Sequence, residues 1–473
     1  MVEIKFGTSG WRGIIAEDFT FHNLRAVAQA IAEYVIKEGG QEKGVIIGRD
    51  FRFLGEEFSR EVAKIMCGNN IPVFYIKEPA PTPAISYSIL SLKTAGAINI
   101  TASHNSFEYT GVKFSPGWGG PALPETTRWI EARSNELVTS GHFCFRDESE
   151  AKSTGIWREM DPRGDYLAEL AQKIDFDVIK SFSGRVAYDP MHSAGKNYLD
   201  GILKENGIPV TVIHDDSNPY FGGRAPDPSE KNLDELSKMV RENHEIFIGC
   251  ATDGDADRFG ILDRDGAFIE PNYLIALFVD YLIENRKVPH EAARSVATTH
   301  LVDAVCRYHG GTCFETPVGF KYIGEFISKN AIAAGGEESA GFSLYGHVPE
   351  KDGIIACLLA IEMVAKKKKS ISELLTDLYR KVGMFRTRRV NLKLTEALEA
   401  SFPEKMAAPP DTFAGIPVEK ITAIDGKKFI LTDGSWVLFR KSGTEPVVRI
   451  YAEARDDSAL DAVVRAAEIF ILR

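Results

Sequence analysis

Four short stretches of the chain hold residues whose types and spacing suit chemistry. In TASHNS, Ser103 stands among Thr101, His104 and Asn105 directly after the apolar run AGAINI (95–100), which leaves a hydroxyl open where a buried strand ends. A nucleophile facing a ligand and an ordinary hydrogen-bonded turn both fit that stretch. In ATDGDADR, Asp253, Asp255 and Asp257 alternate, and an extended backbone would aim all three carboxylates to one side. Three like charges that meet need a cation, and hard oxygen donors with no His or Cys beside them point to Mg²⁺ or Mn²⁺. A calcium-binding turn is the rival, but the twelfth position counted from Asp253, where an EF-hand carries glutamate, is Arg264.

The third stretch, GGEESAG, sets two glycines against a polar group. Glu337 and Ser339 can accept from and donate to sugar hydroxyls; Glu338 and Ser339 would equally serve to open a helix. In the following EKDG, Lys351 reads either as an acid near a site or as an exposed lysine. The fourth, RKSGTEP, has the make-up of an anion cradle. Gly443 lets the backbone bend, Ser442 and Thr444 add hydroxyls, and Arg440 and Arg449 add charge. A plain hairpin loop is the alternative.

The elements that must position these loops repeat one phrase. Residues 44–48 read as a buried strand, 56–67 as a helix, 71–76 as a strand, PAPTP as the start of a short helix and 95–100 as a strand. The order recurs with strands at 185–188, 210–213 and 246–250 and a hairpin, ILDRDGAFI, turning at Asp265–Gly266. A third copy runs through a helix at 273–284, a strand at 296–299, a helix at 301–308 and a strand at 331–334. A long helix over 353–366 follows, whose terminal lysine run reads as a solvated end favoured by the helix dipole. Repeated β-α-β order favours a parallel or mixed sheet covered on both faces. The last stretch has antiparallel character, with strands at 388–394, 421–424, 429–431, 436–440 and 447–454 and a closing helix, an α+β segment. The expected domains are 1–155, 156–265, 266–385 and 386–473.

Composition narrows the field. Of 473 residues, 44% are hydrophobic and 26% charged, which excludes disorder and small disulfide scaffolds. The 67 acidic and 56 basic residues leave a net charge of −11, so neither nucleic acid nor an anionic membrane face is an expected partner. No apolar run approaches the ~20 residues a bilayer needs, and the start lacks a secretion signal. The six cysteines form no CxxC pair and read as reduced, in a cytoplasmic protein.

Taken in order, GTSGWRG, TASHN, DGDADR, GEESAG and RKSGTEP resemble the α-D-phosphohexomutase superfamily, the phosphoglucomutase and phosphomannomutase enzymes, over essentially the whole chain. The resemblance implies an α/β fold of four domains around a central cleft: three mixed α/β, sandwich-like domains and a smaller C-terminal α+β domain. It implies reversible phosphoryl transfer between the 1- and 6-positions of a hexose phosphate, with Ser103 as the phosphorylated serine and a hexose 1,6-bisphosphate as bound intermediate. Mg²⁺ would lie between the phosphoserine and Asp253, Asp255 and Asp257, because a phosphoserine of about −1.5 to −2 charge cannot sit beside them otherwise. Arg12, His104, Lys113 and Lys351 match family positions close to the reacting groups. Glu337 and Ser339 would grip the sugar, with Arg258 and Lys321 as secondary contacts, and Arg440, Ser442, Gly443, Thr444 and Arg449 would hold the phosphate.

Two departures stand out: Ser106 replaces the family's usual proline, which predicts a less rigid nucleophile loop, and Phe342 follows SAG where phosphomannomutase types often have histidine. GEESAG followed by GHVPEKDG, together with TPVGFK (316–321), is similar to glucose-preferring members. Phosphoglucomutase therefore ranks ahead of a phosphomannomutase or dual glucose/mannose enzyme, and a phosphoglucosamine mutase, usually marked by GEQSGH, ranks third. The other classes are a metal-dependent phosphatase with an aspartyl nucleophile and a sugar-phosphate sensor without turnover. The sequence admits a monomer or a homodimer.

Overall fold

The stripe Leu24, Val27, Ala28, Ile31 and Val35 folds into the helix Phe21–Lys37, with those residues buried and the Thr20 hydroxyl accepting from the Asn23 amide at its start. In the computed structural model, residues 3–7, 10–442 and 446–472 are described. They fall into two compact units: residues 1–271, 324–331 and 339–371 form the first, and 272–323, 332–338 and 372–473 the second.

The first unit carries two sheets. One has seven strands in the order Phe6–Gly7, Gly10–Ile14, Tyr109–Pro116, Gly96–Ile100, Val45–Arg49, Val73–Ile76, Trp157–Met160. The last four are mutually parallel, while Tyr109–Pro116 runs antiparallel to both neighbours. Val45–Arg49 and Gly96–Ile100 are buried at every residue, as strands with both faces covered must be. The other sheet orders Phe259–Leu262, Ile246–Thr252, Arg185–Asp189 and Val210–Val212. The turn at Asp265–Gly266 forms, with Gly266 at φ 79° donating its amide to Asp263 O at 2.8 Å. The returning arm of that hairpin shrinks to a single bridge, Leu262 to Phe268. The helix Gly353–Lys367 is buried continuously from Gly353 to Ala365 and capped by Asp352, and Lys366 beyond is exposed, as the dipole reading expects.

In the second unit three strands, Cys313–Thr316, Ala292–Ser295 and Ala334–Glu337, run side by side and parallel. Two of these lie a few residues from where hydropathy puts them. The strand is 292–295 rather than 296–299, and 334–337 rather than 331–334. Nor do Glu338 and Ser339 open a helix; they sit in a turn. The C-terminal part is a six-stranded antiparallel sheet, ordered Arg386–Lys393, Val447–Ala454, Trp436–Lys441, Lys427–Leu431, Ile416–Thr422, Thr412–Phe413 and packed by the helix Asp457–Leu472. The α/β class holds, with mixed sheets first and a β-rich C-terminal domain last. All six cysteines are unpaired, four of them buried, and no helix among the described residues is long and apolar enough to cross a membrane.

Candidate active site

The strand Gly96–Ile100 delivers its chain to Thr101, whose hydroxyl oxygen accepts from the Ser103 amide at 2.8 Å. Ser103 itself adopts φ 54°, a left-handed conformation that costs an L-residue roughly 1–2 kcal/mol. That bend turns its Oγ inward, where it donates to Asp253 Oδ2 at 2.6 Å; His104 Nδ1 lies 3.4 Å from the same oxygen. Ser103 is only 2% exposed.

The aspartates meet Ser103 from the end of the strand Ile246–Thr252. Their convergence does not come from pleat alternation in an extended chain, as the spacing predicts. The loop is a tight turn: Ala256 takes φ 55°, its amide donates to Asp253 O, and Asp253 Oδ1 accepts from the amides of Asp257 and Arg258 at 2.9 and 3.0 Å. The turn wraps the chain so that one oxygen from each of Asp253, Asp255 and Asp257 lies within 4.8 Å of the others. All three residues are fully buried.

Two lysines close the cluster. Lys113, on the strand Tyr109–Pro116, donates to Asp255 Oδ2 at 2.5 Å and Asp257 Oδ2 at 2.9 Å. Lys351 is no exposed lysine: it is 7% exposed, with Nζ 2.9 Å from both Asp257 Oδ2 and Glu350 Oε1. Burial first, then Asp257 and Asp255, push the Asp253 carboxyl well above the usual range. Burial opposes ionisation of Asp257 too, but Lys113, Lys351 and Arg258 outweigh it and hold that group well below its ordinary value. Burial and the positive charges of Arg258 and Arg12 depress the His104 imidazole well below its ordinary value, so it is neutral and able to accept. Arg12 is tied to the same loop through Nη1, which donates to Asn105 Oδ1 at 2.7 Å.

The donor set fits a hard divalent cation. Oδ1 of Asp255 and Oδ1 of Asp257 are both buried without a hydrogen-bond partner among the described residues. Such orphaned carboxylate oxygens, in a group with no sulfur or imidazole in the ring, are what an oxygen-loving ion takes up.

The second unit brings together the remaining described candidates, apart from Ser339, which belongs to the first. Glu337 ends the strand Ala334–Glu337, is 4% exposed, and accepts from the Gly319 amide at 2.7 Å, so the segment carrying Lys321 is tied to the glutamate. Arg440 and Arg449 stand directly opposite each other on antiparallel strands. Like charges in that register are unfavourable, and an anion between them would relieve it. Arg440 is steadied by Asp425, whose Oδ2 accepts from Arg440 Nε at 2.9 Å and from the Val318 amide at 3.1 Å. Ser442 donates its amide to Val447 O at 2.9 Å; Gly443 and Thr444 lie outside the described residues.

Sequence reasoning missed Thr82, Glu350 and Asp425. Thr82 donates its hydroxyl to Asp255 Oδ2 at 2.6 Å and its amide to Asp255 O at 2.8 Å, across 173 positions. Its only sequence signal is its place at the start of the PAPTP helix. Glu350 sits beside Lys351 in EKDG and holds its Nζ; adjacency was the available hint.

Comparison with known proteins covers the whole site. The three alpha/beta/alpha domain models of phosphoglucomutase/phosphomannomutase match residues 3–139, 164–266 and 270–382, and its C-terminal domain model matches 390–468. A phosphoglucomutase/phosphomannomutase of Thermococcus kodakarensis is 30% identical over 96% of this chain and 95% of its own. A probable phosphoglucosamine mutase of Pyrococcus abyssi is 30% identical over 98% and 96%. The crystal structure of a putative phosphomannomutase from Thermus thermophilus superposes with a TM-score of 0.85 at 32% identity, covering 99% of each chain. With all four domain models matched in order, this chain belongs to the phosphoglucomutase/phosphomannomutase family.

Proposed function

We propose that this phosphohexomutase interconverts glucose 1-phosphate and glucose 6-phosphate through a phosphorylated Ser103 and a bound glucose 1,6-bisphosphate. One observation carries the reading: a buried serine hydroxyl within 2.6 Å of an aspartate triad that two lysines face. In the forward step the P–O bond to Ser103 breaks and a new one forms to the free hydroxyl of the sugar, whose proton passes to a nearby base. The bisphosphate then turns over, its other phosphate returns to Ser103, and the enzyme is regenerated. Such transfer needs positioning and charge balance more than covalent help. Mg²⁺ held by Asp253, Asp255, Asp257 and the phosphoserine would neutralise charge on the transferring group.

The chain's own residues have distinct tasks in this reading. Lys113 and Lys351 hold Asp257 ionised, Lys113 also pairs with Asp255, and both lend positive charge to the transferring group. Neutral His104 is placed to accept or return a proton at the Ser103 oxygen. Arg12 and Arg258 add positive charge beside it. Glu337 and Ser339 grip sugar hydroxyls, with Lys321 in support. Arg440, Arg449 and the 442–444 segment hold the phosphate that is not reacting, in either orientation of the bisphosphate. Glucose is favoured by the GHVPEKDG and TPVGFK segments, and Gly319 of the latter binds Glu337 directly. We place the domain divisions near residues 155, 265 and 385.

Initial rates on glucose, mannose and glucosamine 1-phosphates, primed with the matching bisphosphates, test the substrate: glucose is expected to be fastest, and a faster mannose or glucosamine rate overturns that choice. Intact mass tests the carrier. One phosphate is expected on the resting enzyme and none on Ser103→Ala; phosphate on Asp253 would instead favour an aspartyl phosphatase. Chelation is expected to stop turnover while leaving the Ser103 phosphate in place.

A further inference from the structure

Arg52 takes no part in the chemistry above, yet each of its N–H groups is committed. Nε donates to Asp50 Oδ2 at 2.9 Å. Nη1 donates to the carbonyls of Ser106 and Tyr109, both at 2.8 Å, and Nη2 to those of Ser103 and Asn105 at 2.7 and 2.8 Å. Those are all five donors a guanidinium has, and four of them fall on one loop. The side chain is 0% exposed and lies over the Phe221 ring at 4.9 Å, so it has no hydrogen left to offer a substrate.

A second grip starts from the same place. Asp50 Oδ2 also accepts from the Thr101 hydroxyl at 2.6 Å, and the oxygen of that hydroxyl accepts from the Ser103 amide at 2.8 Å. Ser103 is thus held through its carbonyl by Arg52 and through its amide by the Asp50–Thr101 pair. It is a residue with φ 54°, a conformation an L-amino acid leaves unless its neighbours fix it. Ser106, where proline would otherwise stiffen the chain, is one of the four carbonyls bound.

We infer that Arg52 is the positioning residue of the nucleophile loop: it fixes the left-handed bend at Ser103 and supplies the stiffness that Ser106 does not. The inference rests on Ser103 being the phosphoryl carrier. Lysine keeps the buried charge beside Asp50 but presents its hydrogens from a single point, and it cannot span four carbonyls as the planar fork does. Arg52→Lys is therefore expected to fold, to lose kcat by ~100-fold, and to keep its KM for glucose 1-phosphate within about threefold. Single-turnover phosphorylation of the dephosphorylated enzyme by glucose 1,6-bisphosphate, followed by intact mass, is expected to slow by the same factor. Amide exchange is expected to quicken in peptides spanning 101–109 and not in those spanning 21–49. A wild-type phosphorylation rate in folded Arg52→Lys overturns the inference, as does exchange that quickens equally across both segments. Should that variant fail to fold, Thr101→Val, which removes only the hydroxyl between Asp50 and the Ser103 amide, decides instead: a loss of at least tenfold in the same single-turnover rate supports the brace, and an unchanged rate refutes it. Phosphorylation that persists in Ser103→Ala would sink the carrier assignment itself and is thereby told apart from failure of the brace.

Discussion

At the scale of single residues, the site depends on two backbone bends that only their surroundings justify. Ser103 turns its hydroxyl inward by going left-handed, and its carbonyl then backs onto Gly254 of the aspartate turn. A Cβ on Gly254 would lie 2.4 Å from Ser103 O and 3.1 Å from Pro226 Cγ, and the first of these contacts is with backbone. Gly254→Ala must therefore force the two loops apart, lengthening the 2.6 Å bond between Ser103 and Asp253. A displacement of about 1 Å is worth ~100-fold in rate, so kcat is expected to fall by that order; turnover within threefold of wild type would mean that the loops can yield without loss. The residue types were readable in the sequence: a serine at a strand end, three aspartates, a lysine before a helix. The way they converge was not, because it depends on a turn stabilised by Asp253 Oδ1 and on Thr82 bonding Asp255 from 173 positions away.

At the scale of elements, buried charge decides where hydropathy misleads. The strand Ala292–Ser295 contains Arg294, which is 2% exposed and pairs with Asp303 at 2.5 Å and Glu315 at 2.8 Å. A buried arginine breaks the apolar run that marks an inner strand, whereas the β-branched VATT (296–299) that follows mimics one but forms the buried loop at the strand's end. The strand Ala334–Glu337 was hidden differently: AGGE has little intrinsic strand preference and is extended because Ala292–Ser295 pairs with it.

That loop is fastened to the C-terminal sheet by more buried charge. Lys428, fully buried, donates to Val296 O at 2.9 Å, to His300 Nε2 at 2.8 Å and to Glu315 Oε1 at 2.8 Å, while Glu453 accepts from the Trp436 indole at 2.7 Å and from the Thr299 hydroxyl. Accepting at Nε2 requires a neutral imidazole, and burial with the charges of Arg294 and Lys428 lowers the His300 pKa to about 4. The unfolded chain binds this proton near the ordinary 6.5, so between pH 6.5 and 4 it holds a proton that the folded chain refuses. Stability is complete above 6.5 and falls as pH drops through that window, by an amount on the order of 3 kcal/mol. Glu315, held well below its ordinary value against the cost of burial by its ion pairs with Arg294 and Lys428, steepens the loss at still lower pH. Urea midpoints measured from pH 7 to pH 4 by near-ultraviolet circular dichroism are expected to decline for the wild type and to decline less for His300→Gln. Parallel curves would show that His300 does not gate the loop.

At the scale of the molecule, the path of the chain gathers into one place the carboxylates that could hold a cation. Asp253, Asp255 and Asp257, Lys113, Lys351 and Thr82 come from a strand, loops and a helix start far apart in sequence, and all lie in the first compact unit. Without a cation, the three carboxyl groups of the triad lie buried against two ammonium groups, and two of their oxygens have no hydrogen-bond partner among the described residues. Binding a divalent ion there adds stability as RT ln(1 + [L]/Kd), roughly 2.7 kcal/mol at a hundredfold excess over Kd. The gain should be local, since the segments released from strain are those that supply the ligands and their lysines. Adding Mg²⁺ to the dephosphorylated protein is therefore expected to slow amide exchange most in peptides covering 101–113, 251–258 and 350–353. Asp255→Asn removes one negative charge and one of the unpartnered oxygens while leaving an amide that Thr82 can still bond, so it is expected to fold and to lose most of that protection. If the wild type shows no Mg²⁺-dependent protection in these three segments, or Asp255→Asn keeps it in full, the triad is a lysine-neutralised structural cluster and not a metal site.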